Sequence, residues 1–232
     1  MKQYLKGLKD GLPVGLGYFS VSIAFGVTAV QSGLPLWAAV AISLTNLTSA
    51  GQLAGLSVIA AAGSLVEMAM TQLVINLRYA LMSVSLSQKM DPSVKTGARF
   101  LIAFGNTDEI FAIASGRPGT VTAPYFYGLM TLPIICWTGG TLVGAAAGKI
   151  LPAMVLSALG VAIYGMFIAV ILPKAKKSRA IALVALGAAA MSCCFTWVPG
   201  LNRVSGGFAI IICAVVAAAL GALLAPRKED VQ

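Results

Sequence analysis

The sequence predicts an all-α, polytopic transmembrane helix bundle of about six to eight spans, with one or two discontinuous or re-entrant segments. Of the 232 residues, 59% are hydrophobic and 10% are charged, against roughly 25% charged in a typical soluble domain. The apolar residues form runs close to the ~20 residues that a helix needs to cross a bilayer. The alternating polarity of a membrane β-barrel, in segments of about 10 residues, is absent. We therefore expect residues 1–232 to form a single integral membrane domain.

Each predicted segment is an apolar run between charged or turn-forming connections. The first, 12–31, is rich in glycine, and Pro13 falls in its first turn, where a missing N–H does no harm. We interpret the apolar N-terminus as an uncleaved span, because the rest of the chain is membrane-spanning too. The other predicted segments are 35–62, 64–87, a short segment 100–115, 121–147 with Pro133 inside it, 154–172, 181–198 and 208–224.

Two topologies are open, because the second and fourth segments are interrupted by polar residues. Eight simple crossings with a cytoplasmic N-terminus place ten Lys and Arg inside but put Lys89, Lys95 and Arg99 outside, against the positive-inside rule. If both interrupted segments instead enter from opposite faces and return, thirteen lie inside and only Lys149 and Arg203 outside. In this second hypothesis the two tips meet near the midplane, where secondary transporters place their substrate.

The second segment contains the first of three polar clusters at membrane depth, where polar side chains are costly. Its Gly51 permits an unwound turn, and an unwound helix exposes N–H and C=O groups that can hold a carboxylate or an ammonium. The alternative is small-residue helix packing, with Ser and Thr bonded to their own backbone. The residues predicted to bind substrate here are Asn46, Ser49, Gly51 and Gln52.

The third segment contains the second cluster, centred on Arg78. This residue lies nine positions before Ser87, about 13 Å along a helix, too deep for its stem to reach the interface fully. It therefore needs an anionic partner, which is either an acidic residue of the spans or a substrate carboxylate. The residues predicted to bind substrate here are Asn76, Arg78 and Tyr79.

The third cluster is Thr107-Asp108-Glu109, in the short fourth segment. Adjacent helical residues point about 100° apart, so the two carboxylates serve different partners. One could pair with Arg78, and the other could bind a substrate ammonium or carry a proton. If this segment is a surface turn, both carboxylates are solvated instead. The acidic residues predicted to couple protons or bind the ammonium are Asp108, Glu109 and Glu67.

These motifs also carry a resemblance to a known family. The opening Gly11-Leu-Pro13 with Phe25-Gly26, then Ser49-Ala-Gly51-Gln52, Asn76-Leu-Arg78-Tyr79 and Thr107-Asp108-Glu109, in this order, resemble the AzlC family over essentially the whole chain. The resemblance implies a bacterial inner-membrane permease that exports leucine, isoleucine and valine, with methionine in some members. It also implies a small, separately encoded membrane partner of the AzlD type.

Composition narrows the function further. The chain has no histidine, which excludes a His metal site, and it has no GxxxxGK[ST] phosphate loop. We therefore expect no metal or cofactor, and transport driven by the proton-motive force. The basic residues lie between apolar runs, where they meet anionic lipid rather than nucleic acid. The apolar residues expected to line a substrate pocket are Met68, Met70, Phe25 and Phe104.

Other function classes were weighed against this prediction. A carrier or importer of another amphiphilic solute, or an assembly subunit without transport, would share the architecture. An intramembrane protease would need Ser/His, metal ligands or paired aspartates in separate spans, and Asp108 is the lone membrane Asp, so we expect no enzyme. The Gly- and Ala-rich helix faces predict association with a second subunit or a homo-oligomer.

Overall fold

The computed structural model describes residues 1–148, 152, 154, 165, 168, 171–173, 175–176 and 178–224. Within them, nine α-helices and one 3-10 turn account for the regular structure, and four of these helices are long and apolar enough to cross a membrane. The predicted all-α membrane bundle is confirmed. Most of the predicted segment 154–172 lies outside the described residues.

Up to residue 147, the helices follow one another with short connections. In chain order they are α1 (Lys2–Gln31), α2 (Leu36–Thr45), α3 (Ala50–Ala60), α4 (Leu65–Lys89), α5 (Thr96–Phe104), α6 (Asp108–Gly116), α7 (Ala123–Ala147), α8 (Arg179–Trp197), the 3-10 turn Leu201–Arg203, and α9 (Gly206–Leu224). The chain divides into two compact units, one formed by Met1–Leu53 with Asn76–Ile163, the other by Ala54–Ile75 with Tyr164–Gln232. We call them unit 1 and unit 2. The single-domain prediction stays a prediction.

Helices α1 and α7 pack against each other through glycine. A Cβ on Gly7 would overlap the carbonyl oxygen of Tyr125, and a Cβ on Gly144 would overlap that of Ile23. Small residues at such contacts let two helix backbones approach closely. Because early residues of α1 meet early residues of α7, the two helices run parallel. Their N-termini share one face of unit 1, which we call the N-terminal face.

Helix α1 begins ten residues earlier than predicted. It starts at Lys2, so Pro13 lies inside the helix rather than in its first turn. The early turns are held by packing, since Gly7 and Gly11 contact α7 and the hydroxyl of Tyr125 donates to Asp10 at 2.8 Å. Beyond Pro13, Gly15 and Gly26 continue the contact with α7. This packing on both sides of Pro13 keeps the helix continuous although proline removes one backbone hydrogen bond.

Helices α5 and α6 form a re-entrant hairpin that opens on the N-terminal face. Val121 N–H donates to Lys89 O at 2.9 Å and Asp91 N–H donates to Val121 O at 2.9 Å, so the chain enters and leaves the hairpin at one place. A straight helix over 96–116 would separate these ends by about 30 Å. Helix α5 begins at Thr96 rather than at the predicted residue 100, because Ala98 and Ile102 pack in the buried core of unit 1.

Polar contacts hold the junction of the hairpin together. The ammonium of Lys89 donates to the carbonyl oxygen of Ser115. The hydroxyl of Ser93 donates to Asp91 at 2.6 Å, and this hydrogen bond lowers the pKa of the Asp91 carboxyl. Arg117 reaches the side chain of Gln3 on α1 at 3.0 Å. The start of α1, the start of α7 and both ends of the hairpin are therefore neighbours.

The second predicted segment is discontinuous, as expected. Helix α2 ends at Thr45, helix α3 begins at Ala50, and Ser49 between them has a positive φ of 49°. Gly51 at the start of α3 packs against Asn76 of α4. That this segment returns to the face from which it enters stays a prediction.

In unit 2, helices α8 and α9 form an antiparallel pair. Gly221 of α9 contacts Val184 of α8, and Gly200, at a φ of 97°, turns the chain between them. Both are apolar helices, and they correspond to the predicted segments 181–198 and 208–224.

Candidate functional site

An ion pair joins α4 to the tip of the α5–α6 hairpin. Arg78 Nη1 lies 2.7 Å from Asp108 Oδ2, and the two side chains are 44% and 37% exposed. Arg78 lies near the middle of α4, and Asp108 is the first residue of α6. Sequence reasoning had left the partner of Arg78 open, and in the structure it is Asp108. Neither side chain is fully buried within the described residues.

A chain of hydrogen bonds continues from this pair to the break between α2 and α3. Arg78 Nη2 donates to the Tyr79 hydroxyl at 3.1 Å, which donates to the Thr48 carbonyl at 3.4 Å. The Thr48 hydroxyl in turn donates to Asn46 Oδ1 at 2.6 Å. Asn46, Arg78 and Asp108, which sequence reasoning required to be close together, thus belong to one chain of contacts.

Glu109 faces α1 instead of α4. The hydroxyl of Tyr18 donates to Glu109 Oε2 at 2.5 Å and lies 2.7 Å from Thr107 Oγ1. The ring of Tyr18 meets the ring of Trp137 edge to face, with centroids 5.2 Å apart. Adjacent carboxylates therefore serve different partners, as predicted from helix geometry.

Gln52 is a buried bridge between α3, α2 and α7, and its side chain is 2% exposed. Its Oε1 accepts from Trp137 Nε1 at 3.0 Å, and its Nε2 donates to Ser43 Oγ at 3.1 Å. Ser43 lies 2.7 Å from the Thr141 hydroxyl. Both ends of the Gln52 amide are used within the protein, and its predicted contact with substrate stays a prediction.

Ser49 and Gly51, also in the first cluster, have apolar or confined surroundings. Ser49 lines a gap with four apolar residues, namely Val21, Phe25, Leu53 and Trp137. Gly51 is confined, because a Cβ there would lie 2.9 Å from Asn76 Oδ1. Of the apolar residues suggested for a pocket, Phe25 lines the gap, Phe104 is exposed on α5, and Met68 and Met70 belong to unit 2.

Glu67 has a different environment from the other two acidic residues. It belongs to unit 2, where its Oε1 accepts from Ser205 Oγ at 2.5 Å and from Gly207 N–H at 3.0 Å. The carboxylate thus caps the N-terminus of α9, where the helix dipole stabilises negative charge. Its contacts described here are all within unit 2, and its predicted coupling role stays a prediction.

Sequence reasoning missed several residues of this site, chiefly Tyr18 and Trp137. Each is an aromatic residue in an apolar run, which is typical of core packing. The available signal was the polar atom of each ring, since a buried Tyr O–H or Trp N–H usually finds a hydrogen-bond partner. Their partners, Glu109 and Gln52, are distant in sequence and could not be identified by spacing.

Comparison with known proteins gives a consistent result. A family model described as "AzlC protein" matches residues 13–151, which include every contact of unit 1 described above for this site. The chain is 28% identical over 190 residues to "Inner membrane protein YgaZ" of Escherichia coli, covering 78% of this chain and 77% of that protein. It is also 28% identical over 157 residues to an "Uncharacterized membrane protein" of Helicobacter pylori, covering 64% and 68%. No solved structure matches the chain.

Proposed function

Because the chain belongs to the AzlC family, we propose that it is a secondary transporter that exports leucine, isoleucine and valine, with methionine as a further candidate. The observation that carries this proposal is the partly exposed Arg78–Asp108 pair at the point where two helix breaks meet. Broken helices around a central site are the usual substrate position in secondary transporters. Leucine, isoleucine and valine share a zwitterionic head and an apolar side chain, and the site offers a complement to each.

The ion pair suits the zwitterionic head. A guanidinium binds a carboxylate through two parallel hydrogen bonds, and Asp108 is an anionic partner for the ammonium. An amino acid that inserts between them gives each ion a new opposite charge, so both charges stay compensated. In our proposal the apolar gap beside Ser49, bordered by Phe25 and Trp137, widens to accept the branched side chain.

Glu109 is the better candidate for proton coupling. Asp108 already faces a guanidinium, whereas Glu109 accepts from the hydroxyl of Tyr18, which also lies 2.7 Å from Thr107 Oγ1. A carboxyl group with hydroxyl partners can take up a proton without leaving a cation unpaired. This position, next to Asp108 on the same helix, would couple protonation to the substrate site.

Topology and partner complete the proposal. Lys89 and Arg117 lie on the N-terminal face, so we place this face in the cytoplasm by the positive-inside rule, and the protein in the inner membrane. We also propose a small AzlD-type subunit as its partner, on the basis of the family resemblance.

The test is counterflow of labelled leucine in proteoliposomes, with and without a pH gradient. We expect Arg78→Gln and Asp108→Asn each to lower leucine counterflow at least about tenfold, since each leaves one charge of the zwitterion without its partner. Glu109→Gln should keep counterflow but lose the stimulation by the pH gradient. The matched control is Asp91→Asn on the exposed junction, which should transport like the wild type.

Two outcomes would contradict the proposal in different ways. Absence of leucine counterflow by the wild-type protein, with counterflow of another amphiphilic solute, would refute the substrate. Undiminished counterflow by Asp108→Asn would refute the site.

A further inference from the structure

A second cavity, of about 220 Å³, lies between the C-terminal half of α4 and helix α5. Its wall is mostly apolar and includes Leu86, Phe100, Ile102 and Ala103, while Arg99 and Ser83 add polar groups. None of the residues assigned above to the substrate site lines it. We call it the entry cavity.

The outer end of the entry cavity carries an available cation. Arg99 Nε donates to the Val94 carbonyl at 3.2 Å, and the terminal nitrogens of its guanidinium make no hydrogen bond or ion pair in the part of the chain that the structure describes. Arg99 lies one turn into α5, close to the hairpin junction, so this end of the cavity is towards the N-terminal face. A guanidinium with free N–H groups is suited to a carboxylate.

At its inner end the entry cavity is lined by Ser83, which contacts Asn106 at the tip of the hairpin. Asn106 Nδ2 donates to Ser83 Oγ at 3.2 Å. Asn106 is 2% exposed, and its Oδ1 has no hydrogen-bond partner among the described residues. An unsatisfied buried acceptor is costly, so this oxygen indicates a donor that comes from a ligand. Asp108 of the substrate site follows two residues later.

We propose that the entry cavity binds the transported amino acid on its way from the N-terminal face to the Arg78–Asp108 pair, an inference that rests on the proposed function. Arg99 holds the carboxylate while the branched side chain lies along Leu86 and Ile102. The amino acid then moves inward by about 10 Å, which is roughly the distance along the helix axis from Arg99 in α5 to Asn106 just beyond its end. There Asn106 Oδ1 accepts from its ammonium.

The dimensions favour a small solute over a membrane lipid. The cavity extends from Thr96 to Ala103 on α5, or about 10 Å, whereas one leaflet of hydrocarbon is roughly 15 Å deep, half of the bilayer core. Its volume is also below the roughly 300–1,000 Å³ of pockets for drug-sized ligands. A single branched-chain amino acid is the occupant of matching size and polarity.

Cysteine protection in proteoliposomes tests the proposal. The four native cysteines are replaced by alanine, leucine counterflow of that protein is verified, and Ala103→Cys is then labelled with a thiol reagent at increasing leucine concentrations. We expect leucine to slow the labelling, and Arg99→Gln to raise the half-protecting concentration at least about tenfold. Asp108→Asn should leave protection intact, because it acts at the inner site only.

A volume test complements the labelling. Ala103→Phe fills the cavity and should lower leucine counterflow about tenfold. Leu101→Phe, on the exposed side of the same helix with a side chain 58% exposed, is the matched control and should stay within about twofold of the wild type.

The outcomes separate this inference from the proposed function. If the wild type transports leucine but leucine does not slow labelling of Ala103→Cys, the entry cavity is refuted and the transporter stands. Labelling of Ala103→Cys that is slowed by the phosphatidylglycerol content of the vesicles, and not by leucine, would identify a lipid site. This outcome would also refute the entry cavity as an amino-acid site. If the wild type does not transport leucine, the proposed function fails, and the entry cavity fails with it.

Discussion

At the scale of single residues, Gln52 joins three helices through one side-chain amide. It accepts from Trp137 and donates to Ser43 in a site from which water is excluded. Replacing Gln52 with methionine keeps the volume similar but leaves the Trp137 N–H without its acceptor. We expect the free energy of unfolding to fall by about 1–3 kcal/mol.

Thermal unfolding in detergent measures this loss. The melting temperature of Gln52→Met should drop by several degrees, at roughly 2–4 °C per kcal/mol for a chain of this size. Gln31→Met, at the exposed end of α1, makes the same chemical change without a buried partner and should melt like the wild type. Equal melting temperatures for both variants would show that the amide bridge adds no stability.

Single residues also show which parts of the site could be predicted from the sequence. Arg78 and Asp108 were identifiable because charges at membrane depth need a partner, and the structure joins them at 2.7 Å. Glu67 carried the same signal, yet it caps α9, because helix termini also need compensation by charge. Burial alone does not distinguish a ligand site from a helix cap, so the sequence could not identify Glu67 as a cap.

At the scale of helices, the contact between α1 and α7 depends on individual glycines. A Cβ on Gly144 would overlap the backbone of Ile23, whereas a Cβ on Gly139, on the same helix, meets nothing within 4 Å. We expect Gly144→Ala to destabilise the protein by about 1–3 kcal/mol through overpacking. Gly139→Ala should be neutral or slightly stabilising, because alanine is the better helix former.

The pair of alanine substitutions gives a direct comparison in one thermal-unfolding experiment. Both change the same residue type in the same helix, so intrinsic helix propensity is matched. A loss of stability in Gly144→Ala alone indicates that close backbone approach holds α1 against α7. Similar stabilities would contradict the packing described here.

Helix breaks were easier to predict than helix starts. Polar residues at 46–52 and 106–109 interrupt apolar runs in the sequence. In the structure the helices are interrupted at Asn46–Ser49 and before Asp108. The starts of α1 at Lys2 and α5 at Thr96 were missed, because both lie in charged sequence. Tertiary packing of Gly7 and Ala98 extends these helices. Such packing cannot be predicted from local composition.

At the scale of unit 1, positive charge accumulates on the face that holds the start of α1. Lys89 and Arg117 are placed there by contacts with Ser115 and Gln3. A simple crossing of 96–116 would have put Lys89 and Arg117 on opposite sides of the membrane. The hairpin therefore resolves the conflict with the positive-inside rule that the simple-crossing topology creates.

Accessibility of single cysteines tests this topology in the membrane. Pro92→Cys and Pro118→Cys flank the hairpin and are exposed, while Ser32→Cys is exposed at the other end of α1, about 45 Å away along a 30-residue helix. In intact spheroplasts a membrane-impermeant thiol reagent should label Ser32→Cys only, and after permeabilisation it should label all three. Labelling of Pro92→Cys and Pro118→Cys from opposite sides would mean that 96–116 crosses the membrane. Asp108 could not then lie at a re-entrant tip beside Arg78, and the proposed site would lose its geometry.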